Sequence, residues 1–233
     1  MGIDAVSPVR PYTRAVQARM QEGGYSEFFR VRGQAGLWPK ISSNLALLNG
    51  NNPRKVVSVG CSTGEEPYSV AILAHFMGLN PFPRIIGIDI NAERIARARE
   101  GVYHKRHYIE FPERSIPAQY HDYFRGLSDQ QSAIFSVTPG IRTKVDFLCG
   151  DLLSPHFLPE STQNADIVLA LNLIPGDPEV AMMLHSRAAE LLKPKGLLIV
   201  NHDSLSLAQL EILSARLRSV SLENSVRVFE RAA

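Results

Sequence analysis

Cysteine is almost absent. Cys61 and Cys149 are the only two in 233 residues, and they supply neither a disulfide framework nor a metal-ligand spacing. A reducing compartment, the cytoplasm, is the expectation. No run approaches the roughly 20 apolar residues of a membrane span, and the opening residues Met-Gly-Ile-Asp-Ala-Val-Ser-Pro hold no apolar core of signal-peptide length. An excess of one charge is missing too. The chain carries 25 Lys and Arg against 23 Asp and Glu, a net charge of +2, too mild to argue for nucleic acid. His104, His107 and His121 show no metal-ligating spacing, and there are no repeats or low-complexity tracts. The sequence thus predicts no metal, no nucleic-acid partner and no membrane partner. What is present is a chain 45% hydrophobic, enough for one large domain, or a domain with a small appendage, that buries its own core.

The most informative stretch is Arg54 to Ser69. Val56, Val57 and Val59 predict a strand; Gly60 breaks it; Cys61-Ser62-Thr63-Gly64 forms a turn; and an apolar helix follows with Pro67 in its first turn, where a missing N–H costs nothing. In an open α/β sheet, a nucleotide-like ligand sits beyond the carboxyl end of such a strand. This turn is neither G-x-G-x-x-G nor a P-loop, since no Gly-Lys-Ser/Thr follows. Glu65 and Glu66 stand where a phosphate would otherwise lie, which disfavours an anion and favours a cation. S-adenosylmethionine, with a sulfonium, an ammonium and no phosphate, fits. Gly60, Ser62, Thr63, Gly64 and Glu65 are the expected contacts.

Gly-Cys-Ser-Thr-Gly-Glu-Glu-Pro-Tyr-Ser resembles the first motif of the CheR-type methyltransferases, which esterify glutamate side chains of bacterial chemoreceptors. The resemblance covers roughly residues 25 to 230. It implies a Rossmann-like class I methyltransferase: α/β, doubly wound, mostly parallel, with an antiparallel last strand and a small inserted β element. It also implies S-adenosylmethionine as cofactor, S-adenosylhomocysteine as product, and a set of site residues. Tyr25-Ser26-Glu27-Phe28-Phe29-Arg30 is similar to the family's Thr-x-Phe-Phe-Arg. On that match Ser26 stands near the cofactor and Arg30 lines the methyl-transfer pocket, where a guanidinium could grip a carboxylate acceptor with two prongs. The alternative is a surface salt bridge for Arg30, with Phe28 and Phe29 in the core.

Further along, Arg84 to Asn91 reads as a buried strand ending in an acid. A carboxylate there is placed to take both ribose hydroxyls, and the family's Asp-Ile-Asp is similar, so Asp89 and the adjoining Ile90 join the cofactor contacts. Asn91 suits the N-cap of a helix over Ala92 to Glu100, which Gly101 ends. Ala133 to Val137 and Lys144 to Phe147 predict two strands around a Pro139-Gly140 turn. In the family this region carries a small antiparallel subdomain that docks a receptor tail; here it looks short. Phe147 to Leu153 resembles the family's Val-x-Phe-x-x-x-Asn-Leu, which puts Asp151 against the adenine amino group and Leu152 against the ring. Asp166 to Ile174 is a further strand, and its Asn172 matches a family asparagine. Pro175-Gly176-Asp177-Pro178 then replaces Ile-Tyr-Phe-Asp, so Gly176 falls where the family has a pocket tyrosine. A helix from Glu179 to Leu192, a loop at Lys193 to Gly196, a strand at Leu197 to Val200, a helix from Leu205 to Leu217 and a strand at Val226 to Phe229 complete the reading.

The expected organisation is a short helical segment over 1–52, including a basic amphipathic helix near 11–21, and a methyltransferase domain over 53–233 with its β insertion at about 120–145. Three functional readings follow. The first is a methyltransferase acting on a carboxylate or other group of a small metabolite. The second is a protein-glutamate methyltransferase of chemoreceptors. The third is a cofactor-binding regulator without catalysis. The substrate partner is accordingly a small molecule or a protein carboxylate, and oligomeric state is left open.

Overall fold

The computed structural model describes residues 28–29, 37–47, 54–109, 116–154, 159–171, 173, 177–201, 211, 213–215, 217–223 and 226–232. Its centre is a seven-stranded sheet. In chain order the strands of that sheet are β1 (Lys55–Val59), β2 (Arg84–Asp89), β6 (Val145–Cys149), β7 (Ala165–Ala170), β8 (Leu192–Asn201), β9 (Leu217–Glu223) and β10 (Val226–Arg231). Across the sheet the order is β6-β2-β1-β7-β8-β10-β9. β10 runs antiparallel to both its neighbours, and the β6-β2-β1-β7-β8 pairings are parallel. This is the doubly wound, mostly parallel layout with an antiparallel last strand that the sequence predicts.

Parallel strands buried on both faces need apolar residues at every position. β1 and β7 are buried almost throughout and apolar apart from Lys55 and Ser58 on β1 and Asp166 on β7. The side chains divide between two core clusters, one on each face. Val56, Ile85, Phe147, Ile167 and Ile199 join one; Val57, Ile86, Val168, Leu198 and Phe229 join the other. The first face is covered by α1 (Leu37–Leu47), α2 (Glu65–Phe76) and α3 (Ala92–Glu100), the second by α6 (Pro178–Glu190). From β1 the chain winds outward to β2 and β6, then returns to β7 on the other side of β1. The strand order therefore reverses at β1/β7, and the crevice above their carboxyl ends is the expected ligand position.

Between α3 and β6 lies a second sheet of three antiparallel strands, β3 (Val102–His104), β4 (Phe124–Arg125) and β5 (Ile134–Val137), in the order β3-β5-β4. Short helices α4 (Arg106–Ile109) and α5 (Pro139–Arg142) flank it. Phe28 is its hub. The Phe28 ring meets Tyr103 and Phe124 edge-on, each at 4.9 Å between centroids, and lies within about 6 Å of Tyr108 and Phe135. Phe29 points elsewhere, stacked on Tyr120 at 4.2 Å and edge-on to Trp38.

Several sequence expectations are corrected here. The inserted sheet runs from Val102 to Val137, not from about 120 to 145, because its first strand follows directly on the Gly101 helix cap. Pro139-Gly140 opens α5 and makes no hairpin turn; the strands on either side belong to different sheets. Lys193 to Gly196 is not a loop but a bulged part of β8, with Lys195 in the left-handed region at φ 63°. The helix expected to end at Leu217 gives way there to β9, an edge strand paired only to β10 and interrupted in register at Val228/Phe229. That interruption blurs the period-two pattern that would have revealed it. The helix near 11–21 and residues 202–210 lie outside the described residues. Among the described residues no helix is long and apolar enough to cross a membrane.

Candidate functional site

The turn after β1 is built by three residues with positive φ, Gly60 at 69°, Ser62 at 52° and Gly64 at 91°. Glycine is required at Gly64 twice over. Its φ is one that side chains resist, and a Cβ there would lie 2.9 Å from both Ala98 Cβ and Phe147 Cζ. Gly60 is similarly confined, since an added Cβ would run into Leu173 beyond β7. α2 then begins at Glu65, with Pro67 in its first turn as expected.

Three main-chain donors of the turn are consumed inside the protein. Cys61 N–H donates to Ile88 O at 2.9 Å and Gly64 N–H to Cys61 O at 3.0 Å. Ser62 N–H donates to Asp89 Oδ2 at 2.8 Å. A phosphate-binding turn needs such N–H groups free to face the anion, so this geometry agrees with the reading that the ligand is not a phosphate.

Two acids are instead brought to the turn. Asp89 ends β2, and the register that pairs Val59 with Ile88 sets it beside the glycine turn. It is 7% exposed; Oδ2 takes Ser62 N–H, and Oδ1 takes Asn91 N–H at 2.9 Å. Each oxygen keeps a further lone pair. Glu65 is 5% exposed, and its Oε2 accepts from the Thr63 hydroxyl at 2.7 Å. Glu66 parts from it: its Oε1 takes the hydroxyl of buried Ser58 on β1 at 2.7 Å, so it braces the helix against the sheet. Glu65 and Asp89, the two acids the sequence reading assigns to the cofactor, are thus both hydrogen-bonded to the turn.

The electrostatic consequence is recorded by neighbouring groups. Burial pushes the Cys61 thiol well above its ordinary range, and the charges of Asp89, Glu66 and Glu65 push it further. Burial does the same to the Tyr103 phenol, with Glu65 next in effect. A negative potential of this kind suits a cation. A donor set of carboxylates and hydroxyls, holding acceptor capacity and presenting no basic side chain from the turn itself, fits a ligand that carries positive charge and a ribose diol.

Asp151 and Leu152 follow β6, which is joined to the site where Gly150 N–H donates to Asp89 O at 2.9 Å. Asp151 Oδ1 accepts Leu153 N–H at 2.9 Å, and Leu152 is buried in the second core cluster. Ile90 lies half-buried between Asp89 and the helix cap, and its carbonyl is approached by Cys149 Sγ at 3.7 Å. The fold therefore gathers Gly60, Ser62, Thr63, Gly64, Glu65, Asp89, Ile90, Asp151 and Leu152 at one end of the sheet. Ser26, Arg30 and Asn172 lie outside the described residues, as does Gly176. Two groups escaped the sequence reading. Ser69 accepts Phe29 N–H at 3.0 Å and donates to Glu65 O at 2.7 Å, and Tyr103 donates to Thr63 O at 2.8 Å. The motif Gly101-Val102-Tyr103 marked a helix end, but nothing in it announces which carbonyl a phenol will reach 40 residues away.

Residues 25–216 match the family model described as the CheR methyltransferase, SAM binding domain. The chain is 32% identical over 179 residues to a chemotaxis protein methyltransferase of Escherichia coli (strain K12), covering 76% of this chain and 59% of that protein. It is 30% identical over 169 residues to a probable biofilm formation methyltransferase WspC of Pseudomonas aeruginosa, covering 70% of this chain and 37% of that one. The chain thus spans about a third to three fifths of the length of these relatives. Among solved structures, the N-methyltransferase NodS from Bradyrhizobium japonicum WM9 in complex with S-adenosyl-L-homocysteine is similar with a TM-score of 0.48 and 13% identity, over 95% of this chain and all of that one.

Proposed function

The chain belongs to the CheR methyltransferase family, whose cofactor is S-adenosylmethionine, and we propose that it esterifies a carboxylate, namely a glutamate side chain of a protein acceptor. One observation carries the choice of acceptor. The three-stranded sheet that the family uses to dock a receptor tail is retained here, and it is fastened to the turn of the donor site through Tyr103 and Thr63. The names of the relatives, chemotaxis methyltransferases among them, support the same reading. The small-metabolite acceptor, ranked first on sequence, takes second place.

When bound, S-adenosylmethionine supplies a methyl carbon already activated by its sulfonium, so that an acceptor oxygen takes the carbon, the C–S bond breaks onto sulfur and S-adenosylhomocysteine leaves. The protein's task is alignment. Glu65 would hold the positive end of the donor, and Asp89 would accept the ribose hydroxyls on the lone pairs its backbone bonds leave over. Ile90, Asp151 and Leu152 would bound the adenine, with Ser26 and Asn172 completing the cofactor contacts. Arg30 would orient the acceptor carboxylate. That acceptor is ionised at neutral pH, since its ordinary pKa is near 4, and needs no general base. The two free thiols, one buried and one exposed, suit the cytoplasm.

A specific feature favours the second reading, a small carboxylate acceptor. Pro175-Gly176-Asp177-Pro178 stands where the family has Ile-Tyr-Phe-Asp, and Asp177 is occupied in capping α6, accepting from Glu179 N–H at 2.9 Å and Val180 N–H at 3.3 Å. The test is incubation with methyl-labelled S-adenosylmethionine and either chemoreceptor cytoplasmic domains or a panel of small acids, followed by alkaline release of methanol, which marks an ester. Base-labile label on receptor supports the proposal. Label on small acids alone replaces it with the second reading, and tight cofactor binding without label on any acceptor replaces both with a non-catalytic binder.

A further inference from the structure

We propose that Tyr103 is a positioning residue of the donor site, holding the glycine turn from the small sheet so that the sheet is a working part of that site. This rests on the reading above that the turn binds S-adenosylmethionine. The contacts close on themselves. Tyr103, on β3, donates its phenol to Thr63 O at 2.8 Å. The hydroxyl of the same Thr63 donates to Glu65 Oε2 at 2.7 Å. Glu65 O accepts from Ser69 Oγ at 2.7 Å, and Ser69 Oγ accepts Phe29 N–H at 3.0 Å. The preceding residue, Phe28, meets the Tyr103 ring edge-on at 4.9 Å. Each member of the circuit is therefore placed by the next.

Thr63 is the point where such a brace matters. It lies between two residues in the left-handed region, Ser62 and Gly64, and a peptide flanked by glycine turns more freely than any other. The N–H of the Thr63–Gly64 peptide is held by Cys61 O at 3.0 Å and its carbonyl by the Tyr103 phenol, so losing the phenol leaves the peptide held from one side only and loosens the threonine hydroxyl on Glu65. Glu65 is the acid proposed to face the cationic end of the donor. Tyr103 is suited to a permanent brace. It is 6% exposed, and burial beside Glu65 keeps its phenol protonated across the working pH range. A phenylalanine would fill the same space against Phe28 and Phe135 but leave the carbonyl without its partner.

The experiment is calorimetric titration of S-adenosylhomocysteine into the full chain and its variants, paired with thermal melts. Tyr103→Phe is expected to weaken binding roughly three- to tenfold, the loss of one hydrogen bond. Leu191→Ala alters the second core cluster on the other face of the central sheet, where Leu191 O accepts the N–H of Ala165 at the start of β7, the end of the sheet away from the turn. It is expected to lower the melting temperature and to leave the affinity within about twofold. In a double-mutant cycle, Tyr103→Phe should cost much less when Glu65→Gln is already present, because both act through one network. Affinity unchanged in Tyr103→Phe, or lost in both variants in proportion to their melting temperatures, or additive with Glu65→Gln, overturns the inference while leaving the donor-site reading intact. Failure of the unaltered chain to bind S-adenosylhomocysteine overturns the donor-site reading itself, and this inference with it.

Discussion

The main-chain N–H of Ser62 donates to Oδ2 of Asp89 at 2.8 Å, tying the acid that ends β2 to the turn that leaves β1. The other oxygen takes Asn91 N–H, so one carboxylate holds two loop segments in place. Structure and proposed ligand binding thus draw on the same side chain.

Asp89→Asn keeps the shape but offers one acceptor where two are needed, so its amide N–H₂ must confront a backbone N–H. The expected cost is about 1.5–3 kcal/mol of stability, together with at least a tenfold loss of S-adenosylhomocysteine affinity. Urea unfolding and isothermal titration measure the two. Full affinity in the folded variant would remove Asp89 from the donor site.

Gly64→Ala and Gly78→Ala separate backbone strain from crowding. Both glycines have positive φ, 91° and 64°, but a Cβ on Gly64 meets Ala98 and Phe147 at 2.9 Å, whereas one on Gly78 meets nothing within 4 Å. Gly78→Ala should cost only the left-handed backbone penalty of about 1–2 kcal/mol. Gly64→Ala adds overpacking and should cost about 2–4 kcal/mol. Equal losses in urea unfolding would show that the core yields around Gly64.

Ser69→Ala removes the only hydroxyl between Phe29 N–H and Glu65 O. A buried N–H is left without its acceptor, at an expected cost of about 1–3 kcal/mol. Ser69→Thr keeps the hydroxyl and should recover most of that loss. A silent Ser69→Ala would mean that another acceptor reaches Phe29.

His185 gives the stability a pH dependence. The ring is fully buried on α6, with Nδ1 2.6 Å from Ala181 O and the Ala170 backbone also within its reach. Burial lowers its pKa below the ordinary 6.5, so the unfolded chain takes up the proton first. Stability contributed by the neutral ring is complete above pH 6.5 and declines as pH falls below it, with a limiting slope of about 1.4 kcal/mol per pH unit for one proton. Urea unfolding between pH 5 and 7.5 measures the slope, and His185→Gln should make it shallower. An unchanged slope would assign the acid sensitivity to other groups.

What the sequence determined by itself was whatever is encoded within a few residues. Three valines, a glycine turn and Pro67 specify a strand, a turn and a helix because local backbone preference and burial pattern agree there, and α2 does begin within the predicted motif. Asn91 was legible as an N-cap for the same reason, and its side chain does accept Arg94 N–H. Asp89 could be placed because an acid at the end of a buried strand has only one end of the sheet to occupy. What the tertiary structure alone decided were the partnerships across distance. Nothing near Pro139-Gly140 says that β5 and β6 join different sheets, since strand pairing is settled by which apolar faces the whole chain must cover. Glu65 and Glu66 look alike in the sequence, yet a helix turns adjacent residues about 100° apart, so one acid meets Thr63 and the other Ser58. The bond from Tyr103 to Thr63 belongs to the same class: a buried hydroxyl must find an acceptor, but only the packing of the small sheet against the turn decides which one.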